Sequence, residues 1–164
     1  MVSFFSWIEE SALSMWVSSS FIGFPLSLSL HALGMAFLVG VQFLVALRIL
    51  GVADKVPPVL LHRFYPLMWG SFFVVLISGL LLLAAYPAKG LTNPVFYLKM
   101  LIVACGLVLA SVIAKQALAT DAVIFNRQQK LLAILIMLLW VLVITLGRLL
   151  AYTYKVLLSI ELVG

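Results

Sequence analysis

Residues 24–50 read FPLSLSLHALGMAFLVGVQFLVALRIL, and this stretch decides the fold. It contains no acidic residue, and Arg48 comes only at its far end, just ahead of Gly51. At about 1.5 Å per residue, a helix of this length crosses the ~30 Å hydrocarbon core of a bilayer. Three more apolar stretches follow at about 64–86, 95–119 and 131–154. Of the 164 residues, 66% are hydrophobic and 9% charged, whereas a soluble domain has roughly 45–50% and about 25%. Such a chain cannot cover its apolar surface in water, so its solvent and first partner is the lipid bilayer.

The segments between these stretches punctuate them. Residues 52–63 read as a polar loop containing Asp54, Lys55, Pro57, Pro58, His62 and Arg63. Pro87, Lys89 and Gly90 close the second span, and Asn93-Pro94 reads as an N-cap followed by proline at the first helical position. Asp121, Arg127 and Lys130 mark the last connection. Short connections make consecutive helices antiparallel neighbours. Residues 4–20 are too short for a span and carry Glu9 and Glu10; Trp7 and Trp16 suit the headgroup layer, so this segment reads as an interfacial amphipathic helix. The predicted fold is therefore all-α: residues 1–164 form a single integral membrane four-helix up-down bundle with an N-terminal interfacial helix. Gly34, Gly40, Gly70, Gly79, Gly106 and Gly147 offer small surfaces for close helix approach. Cys105, Met137 and Trp140 are expected to be packing residues.

The net charge of +5 lies mainly in loops and ends, which argues for membrane orientation and against nucleic-acid binding. Arg48, Lys55, Arg63, Lys115, Arg127 and Lys130 fall on one side, and Lys89, Lys99, Arg148 and Lys155 on the other. The first side is expected to be cytoplasmic, with both termini periplasmic in a bacterial inner membrane. The N-terminus lacks a basic n-region, so no cleaved signal is expected.

Ionisable groups inside a span cost roughly 2.5–3.5 kcal/mol on insertion scales and call for an explanation. His31, Lys99 and Arg148 stand out. By helical rise they lie ~10, ~6 and ~9 Å beneath the outer surface, and Ser78-Gly79 reaches the same layer at ~10 Å. One imidazole, two cations and a glycine, each from a different span, suit an amphipathic anion with affinity for imidazole. Haem b fits that description: His31 as iron ligand, Gly79 admitting the macrocycle, Lys99 and Arg148 pairing with propionates. The competing reading makes His31 a packing residue bonded to Ser27, and Lys99 and Arg148 snorkelling cations. His62 lies at least ~25 Å away along the membrane normal, so it cannot share an iron with His31. No cluster of His, Cys, Asp and Glu suggests a zinc site, and no Gly-rich phosphate loop occurs. Glu9 and Glu10 are candidate partners for Lys89, Lys99 or Arg148.

Several segments carry a resemblance: Trp7-Ile8-Glu9 with Trp16, Leu30-His31-Ala32-Leu33-Gly34, Leu47-Arg48-Ile49-Leu50-Gly51, and Ser78-Gly79-Leu80-Leu81. Thr92-Asn93-Pro94-Val95-Phe96-Tyr97-Leu98-Lys99 and Gly147-Arg148-Leu149-Leu150-Ala151-Tyr152 extend it over nearly the whole chain. Together these resemble a bacterial four-helix membrane family of unknown function, whose members often carry Asp where this chain has Ala46. More distantly, the layout is similar to the HemJ-type protoporphyrinogen oxidases and the copper resistance D family. The HemJ resemblance implies haem b held at His31 and Lys99. The leading expectation is thus a haem-binding protein or subunit for electron transfer near the periplasmic face. The alternatives are a HemJ-like porphyrinogen oxidase and a cofactor-free accessory subunit, with other membrane subunits or a second copy as partners.

Overall fold

The computed structural model describes the backbone of residues 7–119 and 125–161, and the side chains of all of these except 89, 116–119 and 151–161. Asp121 and the side chains of Lys89, Tyr152 and Lys155 lie outside that description. The described residues form six helices of five residues or more: α1 (Ala12–Ser19), α2 (Gly23–Leu50), α3 (Pro58–Ala85), α4 (Pro87–Leu91), α5 (Pro94–Ala119) and α6 (Arg127–Glu161). Four of them, α2, α3, α5 and α6, are long and apolar enough to cross a membrane. The chain is an all-α, multi-pass membrane bundle.

The helix ends follow local chemistry. Ser11 caps α1 by accepting from the Ser14 N–H at 3.2 Å. Gly51 ends α2 in the left-handed region, φ 82°, and its N–H bonds to the Arg48 carbonyl at 3.0 Å. Asn93 Oδ1 accepts from the Val95 N–H at 3.0 Å at the start of α5, as Asn93-Pro94 predicts. The second span begins earlier than expected. Pro57 is extended and Pro58 starts α3, so His62 and Arg63 stand in the first turns of a helix and not in a loop. Helix α6 likewise starts at Arg127 and continues to Glu161, beyond both ends of the expected span.

Helix α2 is the centre of the bundle. It packs most extensively on α3 and then on α6, while α5 leans on α6 and meets α3 over only a few residues. Half of the apolar window of α2 is buried, against 17% of that of α3. At Gly34 the α2 and α3 backbones close up: a Cβ there would lie 2.8 Å from Val75 Cγ2 and 3.2 Å from the Ser71 carbonyl oxygen. Gly106 makes room for the Trp140 ring, with 3.6 Å from a Cβ position to the indole. Gly40 and Gly70 have nothing within 4 Å of a Cβ position and serve no close approach. Trp140 is fully buried and Met137 packs against the same core, as expected. Cys105 is exposed on the outward face, so its expected packing role is corrected.

The core is uneven along the membrane normal. The loop end, near residues 51–57, is filled by Leu38, Val45, Ile49, Leu61, Ile113, Ile136 and their neighbours, all buried. At the end carrying the N-terminus, fewer large side chains are buried. There α1 lies across α3 and α2: Ser14 Oγ donates to the Ala84 carbonyl at 2.8 Å, and Val17 is fully buried. Trp7, Trp16 and Phe21 stay exposed, as an interfacial segment requires.

Candidate functional site

The buried seam of α2 runs through Ser27, Gly34, Leu38, Gln42, Val45 and Ile49. His31 belongs to this seam by helical spacing, yet it is only half buried. The seam is therefore open at His31 itself.

The ring of His31 is oriented by α3. Its Nδ1 stands 3.1 Å from the Val75 carbonyl oxygen and 3.1 Å from Ser78 Oγ. A carbonyl can only accept, so Nδ1 carries the proton and donates. The buried Ser78 hydroxyl directs its own proton to the Val74 carbonyl, which leaves its oxygen as a second acceptor for His31. With Nδ1 committed, Nε2 of the neutral ring keeps its lone pair. A histidine that ligates a metal through Nε2 is oriented in this way, by an Nδ1–H donated to a backbone carbonyl. Gly79 is the shelf beneath the ring: a Cβ there would lie 3.1 Å from His31 Cε1 and 3.5 Å from Nδ1. Its smallness thus serves the imidazole directly. Ser27, the intrahelical partner considered from sequence, donates instead to the Gly23 carbonyl at 2.8 Å.

Lys99 approaches from α5. It is half buried and rests on Gly147 of α6, where a Cβ would sit 3.5 Å from Nζ and 3.8 Å from Cε. Three of the sequence-derived positions, His31, Ser78 and Gly79, thus meet directly, and a fourth, Lys99, rests on Gly147.

Arg148 does not join them. It is exposed, on the face that carries Ile144 and Val141, one and two turns earlier. Because Gly147 faces Lys99, its neighbour is turned by about 100° toward the surroundings of the bundle. The expectation that Arg148 pairs with a ligand beside His31 is corrected: depth is shared, direction is not. Glu9 and Glu10 are exposed, and so is His62, thirteen residues before Val75 on α3 and about 20 Å from it by helical rise.

One polar pair was missed. Gln42, deep in the α2 seam, accepts a hydrogen bond from the indole N–H of Trp140 on α6. A neutral amide inside an apolar span was the available signal.

Among the described residues no group of three or more His, Cys, Asp or Glu side chains is placed to hold a metal ion. A lone imidazole suits a metal that arrives with other ligands already in place. Comparison with protein-family models, curated proteins and solved structures finds no match for the chain.

Proposed function

We propose that this chain is a b-type haem-binding membrane protein or subunit that carries electrons near the periplasmic face of a bacterial inner membrane. The observation that carries this reading is the committed Nδ1 of His31, which leaves Nε2 with a lone pair in a half-open layer of an otherwise closed seam. The residues fit the group. A haem would bring most of its iron's ligands with it, so His31 would be the residue to hold the iron. Lys99 offers a half-buried cation in the same layer for a propionate, where a charge-assisted bond gains strength from reduced solvent. The single cysteine excludes the paired-cysteine attachment of c-type haem within this chain, leaving non-covalent binding.

The haem, when bound, supplies a one-electron couple. The protein's own part is to fix the imidazole. Val75 and Ser78 hold the ring, Gly79 lets its Nδ1–Cε1 edge approach α3, and hydrogen bonding at Nδ1 raises the donor strength of Nε2. Lys99 favours the more negative state of any neighbour and so pulls the couple toward reduction. The positive-inside count puts this layer toward the periplasm, where an electron partner would dock.

The test is an absorption spectrum of the detergent-extracted protein, expressed with haem supplied. A Soret band with a sharp α band on reduction is expected. His31→Ala should abolish both, and Lys99→Gln should weaken haem retention while keeping the band shape. A colourless wild-type protein, with His31→Ala indistinguishable from it, would overturn the reading.

A further inference from the structure

We propose that Gln42, with Tyr65, forms a binding site for a single water molecule deep in the membrane, pinned between α2, α3, α5 and α6. The argument begins with the direction of the Gln42 amide. Gln42 is 3% exposed, and its Oε1 accepts from the indole N–H of fully buried Trp140. An indole nitrogen is a donor only, so the amide cannot flip without setting two donors against each other. Its NH2 group is thereby fixed on the side away from Trp140. There Nε2 is buried and has no hydrogen-bond partner among the described residues.

Gln42 also lines a partly open cavity of about 10 Å³ that Trp140 does not line. On the same measure one water needs about 10–15 Å³. The other walls are Val45, Ala46, Met68, Ala110, Ile113, Ala114 and Ile136, all apolar, and Tyr65 of α3. Tyr65 is the one wall besides Gln42 that brings a group able both to donate and to accept.

This chemistry selects the ligand. The NH2 of Gln42 donates, so the ligand must accept, which excludes a metal cation. The walls bring no positive charge and the space is too small for a polyatomic anion, so an inorganic anion is excluded. Water accepts from Gln42, exchanges a second bond with Tyr65, and meets the minimum of two polar partners for a buried site. Burying an amide donor without an acceptor costs about 1–3 kcal/mol, which gives the site its reason to be filled.

The experiment is infrared difference spectroscopy of the purified protein in bilayers, in ordinary and ¹⁸O water. An O–H stretching band that shifts with the isotope belongs to water and not to a side-chain hydroxyl. We expect such a band in the wild type, absent in Gln42→Met and displaced in Tyr65→Phe. Gly40→Ala, an exposed change on the same helix, should leave it in place. If Gln42→Met fails to fold, the Tyr65→Phe displacement carries the test alone. Wild-type and Tyr65→Phe spectra without a differing isotope-sensitive band would overturn the proposal. So would a high-resolution structure in which Gln42 Nε2 bonds directly to a protein carbonyl.

Discussion

Replacing Gly34 with alanine puts a methyl group where α2 and α3 come closest. The new Cβ would stand 2.8 Å from Val75 Cγ2, 3.2 Å from the Ser71 carbonyl oxygen and 3.3 Å from Val74 Cγ1. None of these yields cheaply. Val75 and Val74 are β-branched and stiff at χ1 in a helix, and the Ser71 oxygen belongs to the backbone. Relief therefore requires α2 and α3 to separate by a few tenths of an ångström. Overpacking of this kind costs about 1–3 kcal/mol. Alanine returns about 0.5–1 kcal/mol of helix preference over glycine, so the net loss is about 0–2.5 kcal/mol. For a chain of this size that corresponds to a fall of up to roughly 10 °C in midpoint. Gly40→Ala is the internal control, because nothing lies within 4 Å of its Cβ position. It gains the propensity term alone and should unfold at the wild-type midpoint or slightly above. The assay is thermal unfolding in one detergent, followed by circular dichroism, for the wild type and both variants. Equal midpoints for Gly34→Ala and Gly40→Ala would refute the close α2–α3 approach on which the placement of His31 against Val75 depends.

Gly79→Ala should change overall stability by no more than about 1 kcal/mol, since helix preference and a weakened hydrogen bond oppose each other. It should nevertheless move the His31 side-chain ¹⁵N resonances, and unchanged resonances would mean that the ring does not lie on Gly79. Trp140→Phe removes the only donor shown to Gln42 Oε1 and should cost about 1–3 kcal/mol in the same unfolding assay; a neutral result would dissolve the buried pair. Asn93→Ala removes the cap that meets the Val95 N–H and should lower stability by about 0.5–2 kcal/mol, with faster amide exchange confined to the first turn of α5. Gly51→Ala forces a side chain into the left-handed region at φ 82° and should cost about 1 kcal/mol, whereas an unchanged midpoint would show that the α2 terminus relaxes freely.

The four spans were legible because insertion in lipid demands runs of apolar residues, and those runs survive any detail of packing. Their ends were less legible. Hydropathy marks where hydrocarbon stops, whereas a helix stops where its backbone finds other partners. Thus α3 starts at Pro58 and carries His62 and Arg63 beyond the apolar run, and α6 begins with the polar Arg127. The site shows the same division between what rise fixes and what rotation fixes. Counting residues placed His31, Ser78, Gly79 and Lys99 at one depth, and the first three are in contact. The same count placed Arg148 there, but it gives no azimuth, and Arg148 faces outward beside Ile144. Cys105 misled for that reason too. Gln42 was passed over because attention went to charge. A neutral amide is cheaper to bury than an ion, yet it still demands partners, and it found Trp140.

Why the candidate site occupies this part of the bundle follows from how the core is distributed. Toward the 51–57 loop, α2 meets its neighbours through large side chains that are almost entirely buried, and Gln42–Trp140 ties α2 to α6 by a directed bond. What space that half leaves beside Gln42 is about 10 Å³, the size of a water. Toward the N-terminal end, contact is made through Gly34, Gly79 and Gly147, and small residues bring helices together without filling the space between them. His31 and Lys99 are only half buried there, and α3 and α5 touch little. Lipid supplies no hydrophobic push to close such a gap, so a loosely filled layer can persist in a membrane where water would have collapsed it. The oriented imidazole of His31 and the half-buried Lys99 stand at that glycine-lined end of the bundle, where small residues leave ring and cation partly exposed.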